Sequence, residues 1–338
     1  MKIALLGIVC ALIFSCSEST SPLQLDAKVL TPNVSVESNA RTYLFDTLGA
    51  ETVKIVFRND ETGNLAYAKL SKDSTILQEY DSDIDVYHPV ISPDGKWVAF
   101  GTTPEPVGGR LFRVYLQRLD DSGLRIPVEG DAAIPRFRIL PSGDTVLIYV
   151  STSYINDDDS EWKSQATYES LFRNGRLSSP KKLFAGAYNG GVSEDLRLAV
   201  TGSHYLRVHS SLFGIEKDTV WYDSAQVCNV SLSTDGSLRT LFLDMASKRG
   251  QEFSKADYLP HHRILIADSL GNLIGSLPSP EPYSFDHPEW VYGSEHLISV
   301  MVTSDVHEKV SLLDVRDSSV HPIISGGDLW HPDIWIKK

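Results

Sequence analysis

Short runs of apolar, β-branched and aromatic residues alternate with turn-forming residues along most of the chain. The clearest example is residues 88–100, HPVISPDGKWVAF, in which the apolar runs VIS and WVAF flank Pro-Asp-Gly. Proline presets φ, aspartate can bond the backbone ahead of it, and glycine adopts positive φ without strain, so this stretch predicts a β-hairpin. No segment shows a convincing amphipathic helical pattern, so the chain is predicted to be all-β.

The same hairpin pattern recurs in weaker form down the chain. Copies lie at residues 134–150, 189–200, 229–243 and 287–300, and residues 331–338 supply a first strand alone. Two further strand-like runs fill each interval. The prolines, or the residues equivalent to them, are spaced by about 49 residues on average and stand at positions 89, 135, 190, 230, 288 and 332. This spacing is typical of a four-stranded propeller blade.

The two ends of the chain complement one another. Residues 53–80 contain three strand-like runs with no His-Pro-type strand before them, whereas the strand at residues 331–338 has no partners after it. We therefore expect Asp333–Lys338 to pair with Val53–Phe57 and to complete the first blade. The prediction is a six-bladed β-propeller of four-stranded antiparallel blades, formed by residues 46–338, whose first blade is closed by the C-terminal strand.

The stretch ISPDGKWVAF resembles the repeat of the TolB-like β-propellers, which are related to the WD-repeat and prolyl-oligopeptidase propellers. The resemblance covers roughly residues 50–338, and Ser92–Phe100 and Ser233–Leu243 match it well. It implies a propeller that acts in the cell envelope by binding other proteins.

The N-terminus has the pattern of a bacterial lipoprotein signal peptide. Lys2 precedes an apolar run of twelve residues, Ile3–Phe14, which is too short to span a bilayer. The tetrapeptide IFSC, which ends at Cys16, resembles a lipobox. This resemblance implies removal of residues 1–15 and lipidation of Cys16, so that the chain is anchored to a membrane without spanning it. The alternative is an ordinary secretory signal whose cysteine is incidental.

Residues 16–45 are predicted to be the lipidated cysteine followed by a flexible tether, because Ser, Thr, Pro and Asn dominate and no periodicity is sustained. Ser17 and Glu18 follow the cysteine, which by resemblance to proteobacterial sorting rules favours the outer membrane, on its periplasmic or surface face. The formal net charge of −13, without a basic cluster, argues against nucleic-acid binding. No run after Phe14 is long and apolar enough for a transmembrane helix.

The residue before each proline position is predicted to lie at the mouth of the central channel, because the first strand of each blade lines the channel in this type of propeller. Around the ring from the composite blade, these residues are His331, His88, Ile134, Asn189, Asn229 and His287. The three histidines belong to adjacent blades. The candidate ligand-binding residues are therefore His88, His287, His331, Asn189 and Asn229.

Neutral imidazoles that converge at a pore can bind a transition metal or a carboxylate. Paired ligand spacing such as His-x-His is absent, so the sequence favours histidines that only cap the inner strands, with no metal and no other cofactor. The acidic stretch Asn156–Glu161 lacks the spacing of a calcium loop and is predicted to be a solvated hairpin tip. A Gly-x-Ser-x-Gly nucleophile elbow is also absent.

These observations predict a non-catalytic envelope lipoprotein whose propeller binds a protein or peptide partner at one face or at the channel mouth. The alternative is a pore-centred enzyme, such as a polysaccharide lyase, that uses His88, His287, His331 and the nearby Arg136. A structural envelope protein without a specific ligand is the third interpretation.

Overall fold

The structure is a computed structural model that describes residues 28–81, 84–102, 112–119, 125–128, 130–152 and 156–338. Over these residues the chain forms six antiparallel sheets of four or five strands, each of which is one blade. The predicted all-β, six-bladed propeller is therefore confirmed. Cys16, the signal peptide and residues 17–27 lie outside the described residues.

Most of the described chain is in short strands. In chain order they are β1 (Lys28–Leu30), β2 (Ser35–Val36), β3 (Thr52–Asn59), β4 (Asn64–Ser71), β5 (Thr75–Asp81), β6 (Tyr87–Ile91), β7 (Trp97–Gly101), β8 (Val114–Arg118), β9 (Arg125–Pro127), β10 (Ala133–Ile139), β11 (Thr145–Val150), β12 (Ala166–Arg173), β13 (Arg176–Leu177), β14 (Lys181–Ala185), β15 (Gly191–Val192), β16 (Leu198–Thr201), β17 (Arg207–Ser210), β18 (Lys217–Val220), β19 (Val227–Leu232), β20 (Thr240–Asp244), β21 (Arg263–Ala267), β22 (Leu273–Pro278), β23 (Ser284–Trp290), β24 (His296–Thr303), β25 (Val306–Asp314), β26 (Val320–Ser325) and β27 (Leu329–Lys337).

The helices are short and lie in connections. They are a π-helix (Thr42–Thr47), α1 (Asp159–Ser164), a 3₁₀ turn (Tyr222–Ser224) and α2 (Lys248–Ser254). None of the helices within the described ranges has the length and apolar character needed to cross a membrane.

Each blade begins with an inner strand and is built outward from it. Blade 1 has the order β27-β3-β4-β5-β1, and blade 2 consists of β6 to β9. Blade 3 starts from β10, and its third strand, β12, pairs with both β13 and β14. Blades 4 and 5 are β15 to β18 and β19 to β22, and blade 6 has the order β23-β24-β25-β26-β2.

The C-terminal strand closes the ring, as the sequence predicted. β27 pairs antiparallel with β3, with Asp333 opposite Val56 and Trp335 opposite Lys54. The inner strand of the first blade therefore comes from the C-terminal end of the chain, and the rest of that blade from its N-terminal part. This exchange leaves no unpaired inner edge at the seam between blades 6 and 1.

Residues 28–45, which the sequence assigned to the tether, pack on the propeller. β1 extends the outer edge of blade 1, with Lys28 opposite Asp81, and β2 extends blade 6, with Val36 opposite Ile324. The N-terminal segment thus bridges the two blades that meet at the seam, and the propeller includes strands that precede the boundary predicted at residue 46. Strands of two and three residues are too short to give an alternating pattern, which is why the sequence did not reveal them.

Apolar clusters join each pair of neighbouring blades. At the seam, Ile55 and Phe57 of blade 1 pack with Ile298 and Leu312 of blade 6, and Leu44 of the π-helix joins the same cluster. The five other blade pairs have clusters of the same kind. Burial of these faces supplies the main favourable term for holding the blades in a ring.

The Pro-Asp-Gly turn forms the predicted hairpin between β6 and β7. The Ser92 hydroxyl donates to Asp94 Oδ1 at 2.6 Å, and the backbone N–H of Lys96 donates to the same oxygen at 3.0 Å. Gly95 has a φ of +68°, and a Cβ built there would lie 2.6 Å from the indole of Trp335. The turn of blade 2 is thus packed against the strand that closes blade 1.

Gly95→Ala and Gly236→Ala form a matched pair that measures this packing. Both glycines follow Asp in the connection after an inner strand and have positive φ, but a Cβ at Gly236 would have nothing within 4 Å. We expect each substitution to cost about 1–2 kcal/mol of unfolding free energy because alanine resists the left-handed conformation. Gly95→Ala should cost a further 1–3 kcal/mol, roughly, because Trp335 must move.

Urea denaturation of both variants and the unsubstituted protein measures the difference. Equal losses for the two variants would show that Trp335 adapts without cost and would contradict a stabilising role for this contact between blades 1 and 2.

Candidate binding site in the central channel

Five of the six predicted channel-mouth residues lie at β-bulges of the inner strands, and Asn189 does not. In β6 the pairing shifts between Tyr87 and Val90, and comparable shifts occur in β10, β19, β23 and β27. The residue before the proline position has a φ between 45° and 49° in five of the six blades, namely at His88, Ile134, Asn229, His287 and His331. Such bulges leave one residue outside the ladder and turn its side chain, and they tolerate a following proline that has no N–H.

The bulges bring the three predicted histidines together. The ring centroid of His331 lies 3.8 Å from that of His88 and 3.7 Å from that of His287. The rings of His88 and His287 are 5.9 Å apart in an edge-on arrangement. His331 therefore lies between the other two, as its position in the composite blade requires.

His331 is the most enclosed of the three imidazoles. His331 is 7% exposed, and its Nδ1 atom has no hydrogen-bond partner in the described part of the structure. Burial, together with the neighbouring His287 and His88, lowers the pKa of His331 well below its usual value. The imidazole is thus neutral at pH 7, because a charge there would be neither solvated nor paired.

The two predicted asparagines lie on the opposite side of the same space. Asn189 Oδ1 accepts a hydrogen bond from the Thr201 hydroxyl at 2.7 Å, and Asn229 Nδ2 donates to Asp286 Oδ1 at 2.6 Å. They share with the three histidines a cavity of about 450 Å³, which we call the upper chamber. All five predicted site residues therefore line one cavity.

An ion pair that spans the ring lies at the floor of the upper chamber. Arg136 of blade 3 and Glu289 of blade 6 form a two-pronged ion pair, with N–O distances of 2.7 Å for both contacts. Blades 3 and 6 are opposite one another in a ring of six. The sequence suggested a role for Arg136 only if the channel is an enzyme centre. In the structure, its guanidinium is bonded to a carboxylate of the protein itself.

A second cavity lies on the other side of this ion pair. It has a volume of about 100 Å³, and we call it the lower pocket. Both cavities are bounded by Arg136 and Glu289, and by the three histidines and Ile134. The turns that follow the inner strands contribute Pro93, Thr234 and Tyr292 to the lower pocket.

Behind the histidines lies a charged network that the sequence did not reveal. Asp286 Oδ2 is 3.1 Å from His307 Nε2, and His307 Nδ1 is 2.8 Å from Asp328 Oδ1. Asp286 also lies 3.4 Å from His287 and so connects the network to the upper chamber. Trp330 Nε1 contacts the His307 ring.

The contacts within this network favour the charged forms of His307 and Asp286. Burial alone would lower the pKa of His307, but hydrogen bonds to Asp286 and Asp328 raise it above the usual value. Burial would likewise raise the pKa of Asp286, but His287 and His307 bring it well below the usual range. His307 lies in β25, the third strand of blade 6, and nothing in its local sequence marks it as a channel residue.

The acidic stretch Asn156–Glu161 has a structural role. Asp158, in the acidic stretch predicted to be a hairpin tip, instead caps α1 by accepting a hydrogen bond from the Glu161 N–H at 2.8 Å, and Asn156 bonds the backbone of Tyr205. The hairpin prediction is therefore wrong, because the carboxylate stabilises a helix N-terminus.

No group of three His, Cys, Asp or Glu side chains is arranged to hold a metal ion in the portion of the chain that the structure describes.

Comparisons with known proteins bear on the fold. No protein-family model matches the chain, and no curated protein matches it. Among solved structures, TolB from Agrobacterium tumefaciens is similar, with 15% identity and a TM-score of 0.50 over 86% of this chain and 99% of that one. A protein of unknown function from Bacteroides caccae matches with 9% identity and a TM-score of 0.51 over 85% and 99% of the two chains.

Hydrazine synthase from Kuenenia stuttgartiensis contains a similar region, with 9% identity and a TM-score of 0.55 over 86% of this chain and 47% of that one. Identities this low carry information about the fold alone. The fold is that of the TolB-like six-bladed β-propellers.

Proposed function

We propose that the protein is a non-catalytic envelope lipoprotein that binds a segment of a protein or peptide partner in the upper chamber. The observation that carries this proposal is the chamber itself, a cavity of about 450 Å³ into which five candidate residues from five blades converge. Its volume lies within the range of known ligand sites, and a few polar side chains are set among its walls. The TolB-like fold supports a binding role for the propeller.

The charges around the chamber support binding over catalysis. Arg136 is paired with Glu289, and Arg58 is paired with Asp60 at 2.5 Å. Asp286 is held by Asn229 and His307. Groups that are already bonded in this way present fixed hydrogen-bonding surfaces, which suits the recognition of a polar backbone or side chain.

Ser203→Trp tests whether the upper chamber is the binding surface. Ser203 is half-buried and lines the chamber, so an indole at this position should fill part of it. We expect the variant to retain its unfolding midpoint. The amount of partner that it captures from solubilised envelope should be at least tenfold lower than the amount captured by the unsubstituted propeller. Quantitative mass spectrometry of the captured proteins provides the measurement.

Lys217→Trp is the matched control, because Lys217 is exposed on β18, the outer strand of the same blade. It introduces the same side chain away from the channel and should leave capture unchanged. Equal capture by both variants would place the binding surface elsewhere on the propeller.

The lipoprotein part of the proposal is tested by Cys16→Ser in the full chain. Because the thiol of Cys16 is the expected acylation site, its loss should move the protein from the membrane fraction to the soluble or secreted fraction. Cys10→Ser is the control and should leave the protein in the membrane fraction. Retention of the Cys16→Ser variant in membranes would contradict the anchor.

One observation favours the alternative of a pore-centred enzyme. The rings of His88, His287 and His331 are in contact, and Asp333 in the adjoining pocket has a pKa raised to about 7 by burial. Groups with such values can transfer protons near neutral pH. For this reason a pore-centred enzyme, such as a lyase acting on an acidic polysaccharide, is the second candidate function.

Metal analysis of the purified protein separates the two functions. If the channel is an enzyme centre that uses a metal, the protein should carry about one equivalent, and the double variant His88→Ala, His287→Ala should lose it. If the channel is a binding surface, metal content should be negligible in both proteins. A stoichiometric metal removed by the double substitution would overturn the non-catalytic proposal.

A further inference from the structure

The lower pocket is open to solvent on the face opposite the upper chamber. Its rim is formed by the turns after the inner strands, at Pro93, Thr234 and Tyr292. Most of its wall is apolar, and includes Ile91, Ile334 and the indoles of Trp290 and Trp335. The carboxylates of Glu289 and Asp333 also line this pocket.

The two carboxylates in the pocket have different partners. Glu289 is paired with Arg136, which uses both terminal nitrogens for that contact. Asp333 Oδ2 accepts a hydrogen bond from the backbone N–H of Ile91 at 2.6 Å. Among the described residues, no basic side chain forms an ion pair with Asp333. Arg138, the other arginine that lines the pocket, is bonded to Glu169, which does not line it. Of the two carboxylates in the pocket lining, Asp333 is therefore the one without an ion-pair partner among the described residues.

We propose that the lower pocket binds an alkylammonium group, with Asp333 as its anionic partner. The apolar wall suits the methylene chain of such a ligand, and the unpaired carboxylate suits its ammonium group. A lysine side chain of a partner and a small free primary amine share this chemistry. The inference concerns a site separate from the upper chamber and goes beyond the function proposed above.

The size of the pocket agrees with this class of ligand. A dry cavity of about 150 Å³ holds a benzene molecule. By the same ratio, a pocket of about 100 Å³ holds roughly four non-hydrogen atoms, which is close to the size of butylammonium or of the end of a lysine side chain. Larger or anionic ligands are disfavoured, the first by volume and the second by the carboxylate.

The protonation of Asp333 gives the site a characteristic pH dependence. Burial raises its pKa to about 7, and the nearby Glu289 contributes in the same direction, whereas the N–H of Ile91 and the charge of Arg136 oppose the shift. The other titratable side chains that line the pocket are Arg138, Tyr292 and the three histidines, His88, His287 and His331. An ammonium ion binds the ionised carboxylate, so affinity should rise between pH 6 and pH 8 by about tenfold.

Isothermal titration calorimetry with n-butylammonium chloride at constant ionic strength tests the proposal on the unsubstituted protein. We expect saturable binding at one site at pH 8, about tenfold weaker binding at pH 6, and no comparable binding of the uncharged n-butanol. Asp333→Asn keeps the shape of the side chain and an oxygen that can accept from Ile91, and it should weaken binding at least tenfold and remove the pH dependence.

Glu295→Gln is the matched control, since it removes an exposed carboxylate near the Tyr292 turn without lining the pocket. It should leave the affinity unchanged. A capped peptide with one central lysine distinguishes the two sources of the amine. Binding of the peptide at least as tight as that of butylammonium assigns the site to a partner's lysine, and tighter binding of butylammonium assigns it to a free amine.

Three results would overturn the proposal. They are the absence of saturable butylammonium binding, equal binding of n-butanol, and unchanged binding by a folded Asp333→Asn variant. If Asp333→Asn does not fold, the comparison with n-butanol and the pH series on the unsubstituted protein still decide the matter. Failure of the capture experiment at the upper chamber would leave this result unaffected, because Ser203 does not line the lower pocket.

Discussion

The pairing of β27 with β3 is the constraint on which the rest of the structure depends. It supplies the first blade with its inner strand, and it places His331 and Asp333 in the channel wall. Without this strand, His88 and His287 would lose the imidazole that lies between them, and the lower pocket would lose the carboxylate of Asp333. The same pairing that closes the ring thus assembles both cavities. The short strands β1 and β2 reinforce it from the outside, because they extend the two blades that meet at the seam.

A second constraint is the bulge at the start of the inner strands. Positive φ at a histidine, an isoleucine or an asparagine costs free energy, and here it occurs at equivalent positions in five blades. The cost is tolerated because the surrounding blades determine the backbone, and the consequence is that side chains turn into the channel. The residue before the proline position of the repeat is therefore the one that the bulge turns, whether it is histidine, isoleucine or asparagine. His321-Pro322, in the outer strand β26, is also a His-Pro dipeptide, but His321 does not have a positive φ.

The repeat, the closure of the ring and the meeting of the three histidines could be predicted, because all three follow from short sequence patterns that recur at a regular spacing. The Arg136–Glu289 ion pair could not, since its partners are 153 positions apart and each looks like an ordinary strand residue. His307 was missed for a related reason, because it lies in the third strand of its blade and meets Asp286 only in the folded protein. The N-terminal strands were missed because their polar composition resembles a tether, and their pairing depends on edges that only the folded blades provide.

The charges along the channel explain why two separate sites are the consistent interpretation. Arg136 and Glu289 neutralise one another between the cavities, so a ligand in the upper chamber meets a bonded pair at the floor. Asp333 lies beyond that pair, where water is partly excluded and no basic side chain of the described chain balances it. A cation that entered the upper chamber would have to break the ion pair to reach Asp333, and that contact involves two charge-assisted hydrogen bonds. Access from the opposite face has no such cost. We therefore propose that the upper chamber selects its ligand through fixed hydrogen bonds and shape, and the lower pocket through the charge of Asp333.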